Sequence, residues 1–140
     1  HRLAERFLCD VLGLPWAQAH HEAGKWEHVI GDDVEGALIR VLGEPTTCPH
    51  GNPIPGTAYE PQEVRSLASL SAGTDFVVSR IPESLEFEPG VLEFLEQCHI
   101  VPGATGTVSA TAPDGTVTLQ IDDRTFGVGA FAADRILVAA

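Results

Sequence analysis

The sequence has no methionine and only 8 Lys and Arg against 20 Asp and Glu, a formal charge of −12 over 140 residues. So little positive charge makes this chain a poor nucleic-acid binder alone, because phosphate recognition needs a positive surface. No apolar run approaches the roughly 18 residues of a membrane span, so a soluble chain with no membrane partner is expected. The cysteines, Cys9, Cys48 and Cys98, are odd in number and lack paired spacing. They point to a reducing, cytoplasmic setting rather than a disulfide framework. No G-x-G-x-x-G, phosphate-binding glycine loop, G-x-S-x-G or H-E-x-x-H occurs, so there is no nucleophile arrangement and no enzyme is expected. His1 stands first, and HRLAERFLCDVLGL reads as helix from its first residue without an N-cap or a targeting pattern. The sequence is therefore expected to be a fragment of a longer protein.

What is present is 44% hydrophobic residues, enough for a packed core. Leu3, Phe7, Val11 and Leu14 recur at helical spacing, and Gly13 with Pro15 ends that helix. From Pro15 to about Ile30 a second stripe comprises Trp16, Ala19, Ala23, Trp26 and Ile30. After Gly31, Asp32 and Glu35 stand in capping-box spacing, Val34, Leu38, Val41 and Leu42 make a third stripe, and Gly43 marks its end. Five of the ten prolines then fall between Glu44 and Val64, which forbids a long helix or a central strand there. From about Arg65 the pattern is β: a Phe76–Ile81 run, a Pro113-Asp114-Gly115 turn, alternating Val117, Leu119 and Ile121, and a closing Ile136–Val138. One short helix, about Val91–Cys98, interrupts it. The expected fold is α+β, with a helical domain over 1–44, a Pro-rich linker or ordered arm over 45–64, and a small β-barrel over 65–140.

Several residues could carry chemistry. His1 and Glu5, four apart on a helix, lie one turn apart on one face and could share a cation. His20, Gly24, Glu27 and His28 form a polar edge beside the second apolar stripe, readable as metal ligands or as a solvated, ion-pairing face. Glu83 and Glu86 could clamp a divalent ion or belong to an exposed acidic loop, since Glu88 and Glu93 continue the acidity. Cys48 and His50 read as half a zinc site without a second half. Cys9 and Cys98 read as small buried hydrophobes.

The blocks HRLAERFL, HHEAGKWEHVI with the DD and VE that follow, and CPHGNPIPG closely resemble the metal-binding and dimerisation domain of the diphtheria toxin repressor and iron-dependent regulator family. The spacing between blocks matches as well. IPESLEFEPGVLEFL and the PDG hairpin resemble that family's C-terminal SH3-like, FeoA-like domain, so the resemblance spans essentially the whole chain. It implies an ancillary metal site of His1, Glu5, His20, Glu83 and Glu86; the family commonly places Glu and Gln at the last two positions, so Glu86 departs conservatively and still offers an oxygen ligand. It implies a primary site at Glu27, His28 and position 24, completed in the family by a Met from the N-terminal half. Gly24 stands where the family usually has Cys, so this site is expected to be incomplete. An anion-binding trio would fall on Arg2, Cys48 and Asn52, with Cys48 in place of a hydroxyl residue.

The resemblance further implies a transcriptional repressor responding to iron, with Fe2+ in the cell and Mn2+, Co2+, Ni2+ or Zn2+ as other ions for the site. DNA would be bound only through an N-terminal winged-helix domain outside this chain. Ligands drawn from two helices and a separate β domain are satisfied together only when these dock, so a cation would bias that equilibrium by its differential affinity. Trp16, Trp26, Ile30 and the third stripe exceed what three short helices can cover, which predicts a two-fold homodimer through the helices. Two other functions are open to such a sequence. One is an SH3-like interaction module binding a proline-rich segment, for which the barrel offers few aromatics. The other is a small metallohydrolase, which needs an open coordination position and a general base.

Overall fold

A computed structural model describes residues 1–140, which divide into two compact units, His1–Pro61 and Gln62–Ala140. No helix is long and apolar enough to cross a membrane.

The first unit holds α1 (Arg2–Asp10), α2 (Trp16–Trp26) and α3 (Asp32–Val41). Its core is Ala4, Leu8, Ala19 and Ala23, with Cys9, Leu14, Trp26 and Ile30 packed against it. Alanines at three of these positions let α1 and α2 approach closely, so polar side chains on the neighbouring positions meet as well. The buried face of α1 is therefore Ala4, Glu5 and Leu8. The expected stripe is displaced outward: Leu3 and Phe7 are half-buried and Val11 is exposed. Gly13, at φ 71°, makes the left-handed stop that the sequence suggested.

Two helix ends differ from the sequence expectation. α2 stops at Trp26 rather than near Ile30, because the N–H groups of Val29 and Ile30 both fall on the Trp26 carbonyl and tighten the chain into a turn. Glu27 and His28 thus sit beyond the helix. In α3, Gly31 rather than Asp32 is the N-cap and no side chain caps it. Asp32, Asp33 and Glu35 instead occupy the first turn and Arg40 the last, each sign at the end of the helix dipole that favours it.

The proline-rich arm is ordered. Thr47 bridges Pro53, the Cys48 N–H donates to the Asn52 carbonyl at 2.8 Å, and Ile54 N–H to Thr46 at 2.8 Å. Prolines offer no N–H, so the arm's carbonyls need donors from elsewhere. Arg6 supplies three, to the Thr47 carbonyl, the Thr47 hydroxyl and the Cys48 carbonyl at 2.9 Å each, and Arg2 donates to the Pro53 carbonyl.

The second unit is one antiparallel sheet of β1 (Arg65–Ser66), β2 (Asp75–Arg80), β3 (Thr105–Thr111), β4 (Val117–Ile121), β5 (Arg124–Val128) and β6 (Leu137–Ala139), in the order β1-β6-β2-β3-β4-β5. The Pro113-Asp114-Gly115 turn joins β3 to β4, with Gly115 at φ 90°. There the Thr116 N–H and hydroxyl hold the Asp114 carboxyl below its ordinary range. Instead of one short helix there are three, α4 (Glu83–Glu86), α5 (Val91–Gln97) and α6 (Ala130–Arg135), plus a 3₁₀ turn at Leu67–Ser69. The β4–β5 hairpin carried no sequence signal, because its two-residue turn is Asp122-Asp123, both left-handed at φ 51° and 64°, where Asn-Gly or Asp-Gly is the usual mark.

Gly106 on β3 is required by packing. A Cβ there would lie 2.8 Å from both Ile121 Cγ1 and Phe76 Cζ and 2.9 Å from the Gln120 carbonyl oxygen. Gly106→Ala is expected to cost about 1–3 kcal/mol, as overpacked cores do, read as a lower urea midpoint at unchanged slope.

Candidate metal centre

The first unit gathers three imidazoles around one buried carboxylate. Glu5 is 1% exposed on the face of α1 that packs on α2. His1, one turn earlier, brings Nε2 to 3.4 Å from Glu5 Oε1. His20, on the facing side of α2, brings Nδ1 to 3.1 Å from Glu5 Oε2. The two imidazoles meet edge to face, with His1 Nε2 and His20 Nδ1 3.3 Å apart. A carboxylate removed from water is costly unless it is paired, and here its neighbours are nitrogen donors that suit a borderline divalent cation.

A third imidazole reaches the same carboxylate from the arm. His50 is 1% exposed, its Nδ1 is 3.5 Å from Glu5 Oε2, and the buried Cys48 thiol lies 3.8 Å from that nitrogen. Trp16 packs edge to face on the His50 ring at 4.6 Å. Two sets of ligand atoms result, His1-Glu5-His20 and Glu5-Cys48-His50, each with its atoms within 4.8 Å of one another. His50 stood in the sequence as half a site because its partner, Glu5, is brought to it only when Arg6 clasps the arm. The signal that could have found it is the run CPHG itself, a polar pair inside a segment rigid enough to be buried.

The remaining expected site residues come from other stretches of the chain. Glu27, just past α2, places Oε2 3.5 Å from His1 Nδ1, on the far side of that ring from Glu5. The His28 side chain is 78% exposed and meets Glu27 at 3.8 Å. Position 24 offers only backbone. Glu83 and Glu86 are the first and last residues of α4 in the second unit, Glu83 exposed and Glu86 half-buried, so they lie on a short helix rather than in a loop. Of the expected anion trio, Arg2 is engaged by the Pro53 carbonyl, Asn52 is fully buried, and Cys48 turns its thiol to His50. Cys98, in the second unit, is buried, and burial pushes its thiol pKa up against the opposing Arg124 charge.

Residues 1–56 match the family described as iron dependent repressor, metal binding and dimerisation domain, and residues 65–140 match the FeoA domain. The iron-dependent repressor IdeR of Mycobacterium tuberculosis is 44% identical over 133 residues, covering 86% of this chain and 57% of that protein. The diphtheria toxin repressor of Corynebacterium jeikeium is 64% identical over 56 residues, 40% of this chain and 23% of that protein. The chain thus spans less than two thirds of the length of these curated relatives. Among solved structures, a manganese-dependent transcriptional repressor superposes with a TM-score of 0.88 at 32% identity, covering 99% of this chain and 76% of its own. The IdeR of T. acidophilum superposes with a TM-score of 0.81 at 29% identity, covering 99% of this chain and 63% of its own. None of these names favours a proline-binding module.

Gly24 sits inside α2, and apart from its chain neighbours and the helix's own backbone nothing lies within 4 Å of where a Cβ would stand. Gly24→Ala is therefore expected to raise stability by about 1 kcal/mol in urea melts while leaving metal affinity at His1, Glu5 and His20 unchanged.

Proposed function

The chain belongs to the iron-dependent transcriptional repressor family, and from that premise we propose that it is the portion that senses a divalent metal and dimerises, Fe2+ being the ion in the cytoplasm. The observation that carries this is the buried Glu5 carboxylate held between His1 and His20 on two packed helices. A metal bound there would supply positive charge to the buried carboxylate and tie α1 to α2. His1 presents one ring nitrogen to Glu5 and the other to Glu27, so Glu27 fixes the ring's orientation, as outer carboxylates do for metal-bound imidazoles. Glu83 and Glu86 are proposed as the oxygen ligands that the β domain adds. Glu27, His28 and the Gly24 carbonyl are proposed as a weaker second site, since glycine gives no thiolate.

The control of transcription is proposed for the full-length protein. Metal bound by these residues favours one arrangement of the chain, and that arrangement sets DNA binding by a winged-helix domain preceding α1. Homodimerisation is proposed through the helical unit. Trp16 is covered within its own unit, so it drops out of the expected interface. Val11, Leu12, Val29, Val34 and Val41 remain exposed at 50%, 52%, 80%, 53% and 65%, more apolar surface than a small unit leaves in water.

In anaerobic titrations with Mn2+ or Co2+, His1→Ala and His20→Ala are each expected to weaken metal binding at least tenfold, and Glu83→Ala with Glu86→Ala to weaken it while sedimentation still shows a dimer. Unchanged affinity in both histidine variants would overturn the assignment. Val34→Glu with Val41→Glu should convert the dimer to monomer at micromolar concentration, with the far-UV spectrum of the helices retained.

A further inference from the structure

The structure places two different donor sets on one carboxylate, and we propose that Glu5 is a bridging ligand between two metal ions, one held by His1 and His20 and the other by Cys48 and His50. This rests on the metal-sensing assignment of His1, Glu5 and His20 and extends it to a second ion. Both oxygens of Glu5 face imidazole nitrogens, and Oε2 stands between the two sets: Oε1 faces His1 at 3.4 Å, while Oε2 faces His20 at 3.1 Å and His50 at 3.5 Å. The two sets share Glu5 and no other residue. Their chemistry differs as well. His1, His20 and one carboxylate oxygen suit Fe2+, Mn2+ or Co2+, whereas the thiolate of Cys48 with His50 adds a soft donor.

The second half is built as a buried site. Cys48 is fully buried, His50 and Glu5 are 1% exposed, and the Trp16 ring closes on His50. Two close dications repel, and the anions set between and beside them, the Glu5 carboxylate and the Cys48 thiolate, offset that repulsion. The bridge also couples the ions. An ion at His1 and His20 fixes the carboxylate, so the second ion meets a preformed oxygen, and by linkage each strengthens the other's binding.

Anaerobic Co2+ titration tests this, because a cobalt–thiolate bond gives a charge-transfer band that nitrogen and oxygen ligands do not. Relative to the unmodified chain, Cys48→Ser is expected to lose one ion and the band, His20→Ala to lose one ion and keep the band, and Glu5→Gln to lose both ions. The electron paramagnetic resonance of the fully loaded chain should fall below the sum of the two singly loaded variants, through coupling across the bridge. Absence of the band, or an unchanged ion count in both Cys48→Ser and His50→Ala, would overturn the bridge. If His20→Ala loses an ion while Cys48→Ser changes neither count nor spectrum, the bridge falls and the single-ion sensor stands. These two counts decide the matter even if Glu5→Gln fails to fold.

Discussion

A carboxylate at 1% exposure, on the face of a helix that should be apolar, is the constraint around which the first unit is organised. Burying an ionised group is unfavourable by several kcal/mol unless charge and hydrogen bonds replace the lost water. Glu5 obtains that replacement from three imidazoles brought by three separate stretches of chain: His1 from its own helix, His20 from α2 and His50 from the arm. Each of those placements has a distinct local cause. The first is the four-residue helical repeat, the second is the close approach of two alanine-lined helices, and the third is the clasp of Arg6 on the arm's carbonyls. Imidazoles can satisfy a carboxylate by protonation, at the expense of a dry interior, or by sharing a cation with it. The proposed metal site corresponds to the second solution, for which nitrogen donors suit better than lysine or arginine.

The arm turns this arrangement from a two-helix contact into a pocket. A segment so rich in proline has few backbone donors and would ordinarily lie on the surface. Here two arginines from α1 take its carbonyls, and in exchange it carries Cys48, His50 and Asn52 into the interior. Rigidity matters for the chemistry: a proline-restricted loop loses little entropy on folding, so the thiol and imidazole are held near their positions before an ion arrives.

Much of this was legible in the sequence, for reasons that can be traced. Three helices with their glycine stops, the Pro113-Asp114-Gly115 hairpin and the pairing of His1 with Glu5 all follow from local spacing, which is what a single sequence encodes most directly. The buried face of α1 departs from the apolar stripe because leucine and phenylalanine outweigh alanine in any hydrophobicity pattern, while close helix packing prefers the alanines. The β5 strand was missed because Asp122 and Asp123 adopt left-handed conformations without the glycine that announces them. The role of His50 has no local signal, since its partners come from contacts between the arm and α1 that no spacing rule contains.

The position of sulfur in this unit bears on which ion it prefers. The resemblance places a cysteine at position 24, on the solvent-side edge of α2, whereas this chain has glycine there and a cysteine at position 48, against His50 and fully buried. Thiolate donors select softer ions, and a buried thiolate strengthens that selection because water cannot compete for the coordination position. Moving the sulfur from the edge to the interior leaves the edge site with oxygen and nitrogen alone and gives the interior a ligand of different character beside the same carboxylate. Under the proposed two-ion arrangement, one residue would read two properties of an ion: whether it accepts imidazole and carboxylate on the helical side, and whether it accepts thiolate on the side of the arm.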